Sequence, residues 1–124
     1  MKLYAKSAIK AVELFQVQEI TIEEAWYKAV SLYTESIHSI KKACPKATFL
    51  GLCEEGLIEG VPKGSYTSSI HNKGYALEAV ELIKHMGLIH KEVLWDMITD
   101  TCGKRHNAQL DVVYGLVNSN HIRI

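Results

Sequence analysis

The chain holds 124 residues, its fourteen basic side chains balancing fourteen acidic ones, with 48% hydrophobic content. That length suits one domain able to bury an ordinary core without metal or disulfide staples, and the composition excludes wholesale disorder. Net charge near zero excludes a general pull toward nucleic acid or anionic lipid, so such a contact needs a local patch, while the same neutrality is permissive of self-association.

The opening "MKLYAKSAIKAVELFQ" places Tyr4, Ala8, Ala11, Val12 and Phe15 on one stripe, with Lys2, Lys6, Lys10 and Glu13 opposite. This is the pattern of an amphipathic helix. The recurring lysines interrupt the apolar centre that a signal peptide needs, and no apolar run nears the ~20 residues of a membrane span. A cytoplasmic location is expected. "TIEE" gives Thr21 and Glu24 the spacing of a capping box, opening a second helix with Ile22, Trp26, Ala29, Val30, Tyr33, Ile37 and Ile40 on one face. That helix is expected to end near Lys42, because Cys44 precedes Pro45 and a residue before proline avoids the α region.

Pro45 suits the first turn of a third helix, which carries Ala47, Phe49, Leu50 and Cys53. Gly56 fits the left-handed C′ position, with Leu57 and Leu52 as the touching pair of a Schellman motif. "VPKG" has the signature of a type I turn and accounts for Gly64. Gly51 lies inside the helix, where glycine costs up to ~1 kcal/mol relative to alanine, and so marks a close approach of another backbone. The next helix is expected to start between Ser69 and Asn72 and to bury Tyr75, Ala79, Val80, Leu82 and Ile83. It stops at Gly87, with Leu88 and Ile83 as a second clasp. A fifth helix, 91–101, carries Val93, Leu94, Met97 and Ile98 and stops at Gly103. A sixth follows Asn107 with Leu110, Val113, Tyr114 and Val117, although the β-branched "LDVVYGLV" leaves a strand as the alternative over 109–117. The expected architecture is an all-α, compact bundle of about five to six short helices, forming one domain over residues 1–124.

At "FLGLCEEGLIEGVPKGSYT" and "HKEVLWDMITD" the chain resembles a family of small bacterial proteins of unknown function, and it is similar to products of mobile integron gene cassettes. The resemblance implies no activity, cofactor or catalytic residue. By analogy it implies self-association or a small-molecule pocket.

Chemistry-bearing motifs are sparse. Cys44, Cys53 and Cys102 lack C-x-x-C spacing and read as reduced, mostly buried thiols. Glu35 and His38 have the E-x-x-H spacing of di-iron bundles, but in one copy where two are needed. His85 and His90 lack zinc spacing, so neither a metal nor a cofactor is expected. "GVPKGS" runs Lys-Gly-Ser where a phosphate loop needs Gly-Lys-Ser. Cys53 with His71 or His106 would make a nucleophile and base, against which stands the place of Cys53 on an apolar helix face.

Three contact surfaces remain. The loop "KGSYTSSIHNK" runs into a helix N-terminus whose free amides suit an anion; its candidate ligand residues are Lys63, Ser65, Tyr66, His71, Asn72 and Lys73, with a plain solvated loop as the competing reading. Tyr27 and Trp95 fall off the main apolar stripes, as interface aromatics do. In "CGKRHNAQLD", Lys104 and Arg105 with Asn107 and Gln109 would suit phosphates and adenine edges. Asp111, the neutral overall charge and the simpler role of Asn107 as an N-cap argue against nucleic acid. The expected function is a protein-interaction or small-ligand-binding module that forms a homo-oligomer. A nucleic-acid-binding regulator using Lys104–Gln109 and an enzyme centred on Cys53 or His71 are the alternatives.

Overall fold

The computed structural model describes residues 1–99, 106, 108–122 and 124, which form seven helices with no strand among them. α1 (Leu3–Val17) buries Tyr4, Ala8, Ala11 and Val12, with Phe15 half-buried near its end. The Thr21 hydroxyl accepts from the Glu24 amide at 3.1 Å, and the Glu24 carboxylate accepts from the Thr21 amide at 3.2 Å. The capping box therefore forms, and α2 (Ile22–Ser31) starts where the sequence places it.

α2 is shorter than expected. It stops at Ser31 rather than near Lys42, because hydroxyls capture the backbone beyond it. Thr34 Oγ1 accepts from the Ser36 amide at 3.1 Å, and Ser36 Oγ accepts from the Ser39 amide at 3.2 Å. These bonds start a separate turn, α3 (Ile37–Ile40). Ile37, expected in the core, is 64% exposed, and Tyr33 is exposed with it.

α4 (Ala43–Glu54) has Lys42 as its N-cap and Pro45 in its first turn, so the expected boundary holds even though Cys44 is itself helical. Its end matches the sequence reading closely. Gly56 has φ +73°, the Leu57 amide donates to the Leu52 carbonyl at 3.3 Å, and the Gly56 amide donates to Cys53 at 3.1 Å. These are both bonds of the Schellman motif. "VPKG" differs: the Gly64 amide donates to the Glu54 carbonyl at 3.3 Å, so the segment is held to α4 rather than to itself.

α5 (Ile70–Met86) follows the N-cap Ser69, inside the expected window. It buries Ala76, Ala79, Val80 and Ile83, while Tyr75 and Leu82 are only half-buried. Gly87 ends it with φ +77°, and its amide donates a hydrogen bond to the Ile83 carbonyl at 2.8 Å. The expected clasp does not form, because the chain leaves in an extended direction and Leu88 stays exposed. α6 (Lys91–Thr99) buries Leu94, Trp95 and Ile98; the proposed stop at Gly103 lies outside the described residues. α7 (Gln109–Asn118) is a helix, not a strand, and its N-cap is Ala108 in the left-handed region. Asn107, expected in that role, lies outside the described residues.

α1 packs on α2 and α7, and α4 packs on α5 and α7. Trp26 stacks on Tyr4 (centroids 6.2 Å apart) and on Phe49 (5.1 Å) in the centre of the core. Two glycines set the closest crossings. A Cβ at Gly51 would lie 2.8 Å from Lys73 Cβ and 3.0 Å from its Cα, the backbone approach expected there. One at Gly115 would lie 2.9 Å from Ala5 Cα. Near the C-terminus Ile122 pairs antiparallel with Ile58. Among the described residues no helix is long and apolar enough to cross a membrane.

Candidate functional site: the cleft beside the Glu54 loop

Glu54, the last residue of α4, organises the loop that precedes α5. Its carbonyl accepts from Gly64, and its Oε1 accepts from the amides of Tyr66 (2.8 Å) and Thr67 (3.1 Å). Its Oε2 meets Lys73 Nζ at 2.5 Å, and the same ammonium reaches Glu55 Oε2 at 3.0 Å. Lys73, and then the two loop amides, hold the Glu54 carboxyl down to about 2. Hydrogen bonds to the charged form of a carboxylate act in this direction. The Lys73 ammonium is raised in return, first by Glu54 and then by Glu55.

This tether shapes a cleft of about 300 Å³ lined by Glu54, Thr67, Ser69, Ile70, Gly74 and Leu77, among others. Ile70 is 81% exposed in the first turn of α5. Thr67 Oγ1 accepts from the Ser69 amide at 3.2 Å, and Ser69 Oγ accepts from Asn72 Nδ2 at 3.0 Å. Ordered polar groups therefore line the cleft beside the aliphatic side chains of Ile70 and Leu77.

The six candidate ligand residues do not form one site. Lys73 lines the cleft, but its charge is already matched by two carboxylates, which removes the cation that an anionic ligand would need. Ser65 and Tyr66 line a different hollow with Phe15, Thr21, Ile22 and Glu23. Lys63 is exposed and lays its methylenes beside Gly56. His71 is exposed. Asn72 turns inward, where its Oδ1 accepts from Gln109 Nε2 at 3.2 Å.

The interface candidates separate as well. Trp95 is only 4% exposed, so it offers no contact surface; its ring meets Tyr75 and His106 edge-on, each at 5.2 Å. Tyr27 does stand at the surface, where its hydroxyl accepts from Lys46 Nζ at 2.7 Å. It lines a groove of about 390 Å³ with Leu14, Gln18, Lys28, Ser31 and Leu32.

Of the nucleic-acid set, Lys104, Arg105 and Asn107 lie outside the described residues. Gln109 is fully buried and engaged with Asn72, so it cannot read a base edge. The thiol alternative loses its geometry too. Cys53 is fully buried, and desolvation pushes its thiol far up, which disfavours the nucleophilic thiolate. Glu35 precedes the one-turn α3 that holds His38, so the two do not share the face of a continuous helix.

The part that sequence reasoning misses is Glu54. Its only signal is its place at the last turn of a helix followed by an amide-rich loop.

Over residues 1–123 the chain matches the family described as "Family of unknown function (DUF6979)", and it belongs to that family. No curated protein matches it, and no solved structure does. No function passes to the chain from these comparisons.

Proposed function

We propose that the protein is a binding module whose Glu54-tethered cleft takes a small, uncharged ligand with an aliphatic body. One observation carries this reading: Ile70 and Leu77 present apolar surface inside a cleft whose charged rim is already neutralised within the chain. Binding sites of this kind combine apolar lining with a few placed polar groups, here the hydroxyls of Thr67 and Ser69. The test uses short aliphatic alcohols and amides as probes at millimolar concentration, followed by amide spectra of the whole protein. Shifts confined to residues 67–77, and lost in Leu77→Trp, support the reading. Shifts absent, or spread over the surface, overturn it.

Self-association belongs to the same proposal, now centred on Tyr27 without Trp95. Leu32 is 60% exposed on the wall of the α1–α2 groove, and Val17 is exposed at the end of α1. Exposed apolar patches mark contact surfaces. Sedimentation equilibrium should show a dimer or larger species that Leu32→Asp dissociates; a monomer at every concentration would remove this part. A cytoplasmic location is proposed on the free thiols of Cys44 and Cys53, which suit a reducing compartment, and a bacterial, integron-cassette origin on the resemblance of the two quoted stretches alone.

A further inference from the structure

The start of α7 lacks an ordinary cap. Ala108 occupies the N-cap position and has no hydroxyl or carboxylate to offer. Instead, His106 Nε2 accepts the Leu110 amide hydrogen at 2.9 Å. Only a neutral imidazole with its proton on Nδ1 has an acceptor at that nitrogen. The ring also stands edge-on to Trp95, which in turn stands edge-on to Tyr75 of α5. One residue before Leu110, Gln109 donates to Asn72, and Asn72 donates to Ser69 on the wall of the cleft. An unbroken path of three hydrogen-bonding side chains therefore joins the first turn of α7 to the candidate site.

We propose that His106 is an acid-released latch: its protonation uncaps α7 and, through Gln109 and Asn72, loosens the Ser69 wall of the cleft. The chemistry is simple. A protonated Nε2 becomes a donor facing the Leu110 donor, so attraction turns to repulsion. The groups facing the imidazole decide where this happens. Desolvation lowers its pKa most; Asp111 on α7 and Glu92 on α6 raise it, while Lys91 on α6 and Lys2 beside α1 lower it. Lys91 is itself paired with Asp111, which spends much of that carboxylate's pull elsewhere. His106 is exposed at the surface of the fold, and its shift is downward, so the ring is neutral and the latch closed at neutral pH, and acid opens it.

The cleft end of this inference rests on the proposed binding reading, but its test needs no ligand. Amide spectra and hydrogen exchange of the full protein are recorded from pH 8 to pH 4, with exchange corrected for its intrinsic pH dependence. The Leu110 amide should titrate with the His106 ring and, once the cap is lost, exchange about fivefold faster, the value of a typical N-cap. The Asn72 side-chain amide should move with the same midpoint. His106→Gln keeps a neutral acceptor and should hold both signals constant over this range. His106→Phe keeps a ring against Trp95 without an acceptor and should leave Leu110 fast at every pH. The latch is overturned if Leu110 protection is flat with pH, if His106→Gln keeps the wild-type titration, or if Asn72 does not respond. A flat result here leaves probe binding in the cleft intact, and failed probe binding leaves the titration intact, so the two readings fail separately.

Discussion

Replacing Glu54 by glutamine separates the charge of this residue from its shape. The amide side chain would keep an oxygen for the backbone N–H groups of Tyr66 and Thr67, but it would turn an N–H₂ group toward the Lys73 ammonium. Hydrogen bonds to a charged partner are worth about 1.5–3 kcal/mol net, against about 0.5–1.5 for neutral ones. The Glu54 side chain is 12% exposed and that of Lys73 24%, so water softens the ion pair, and a loss of ~1–2 kcal/mol is expected for Glu54→Gln at pH 7. Glu54→Ala, which also abandons both loop amides, should cost ~2–3 kcal/mol. Urea unfolding followed by tryptophan fluorescence measures both. The pH dependence gives a sharper check. The carboxyl titrates at about 2 in the fold against 4.5 as its ordinary value. A depressed pKa means the stabilisation is fully present above the unfolded value and is lost as pH falls toward the folded one. Wild type should therefore exceed Glu54→Gln by a constant margin above pH 5, and the two should converge toward pH 2. A margin that does not change with pH, or no margin at all, refutes the electrostatic account of the loop.

Other expectations concern the core. Gly115→Ala places a methyl group 2.9 Å from the Ala5 backbone and should destabilise by ~1–3 kcal/mol, partly offset by helix propensity of ~1 kcal/mol. Gly74→Ala meets nothing within 4 Å on the surface of α5 and should stabilise by ~0.5–1 kcal/mol. Thermal melts should show shifts of opposite sign; a common sign contradicts the crossing geometry. Cys53 should resist a thiol reagent in the native protein and react only once denaturant unfolds it, as peptide mapping of the labelled site would show. Prompt native labelling would place that thiol outside the core.

What is legible in the sequence is local. The capping box at Thr21, the Schellman stop at Gly56 and the start of α5 at Ser69 each depend on residues within one helical turn. The departures occur where periodicity meets competing partners. Helical spacing through Ile37 and Ile40 implies one long helix, but the hydroxyls of Thr34 and Ser36 break it. Trp95 lies off the expected stripe, yet it is buried because Tyr75 and His106 reach it from separate parts of the chain. The loop before α5 does border a cleft, but an anion finds no free charge at Lys73, since the partner that neutralises it lies 19 positions earlier.

Glycine 51 ties these local and distant readings together. Glu54 ends α4 and Glu55 is its C-cap, so their side chains diverge, by about 100° in a regular helix, yet they share one cation. They do so because α5 crosses α4 where Gly51 has no Cβ, bringing the base of the Lys73 side chain close enough for its long stem to reach both carboxylates. An alanine at 51 would force Lys73 away by its backbone and so weaken the ion pair as well as the packing. A double-mutant cycle measures this dependence directly. Gly51→Ala and Glu54→Gln, measured singly and together in urea, should show less than additive losses, with a coupling of ~0.5–1 kcal/mol, at the low end for residues in one network. Strict additivity would mean that the crossing and the carboxylate act independently, and that the tether forming the cleft wall does not depend on the missing side chain.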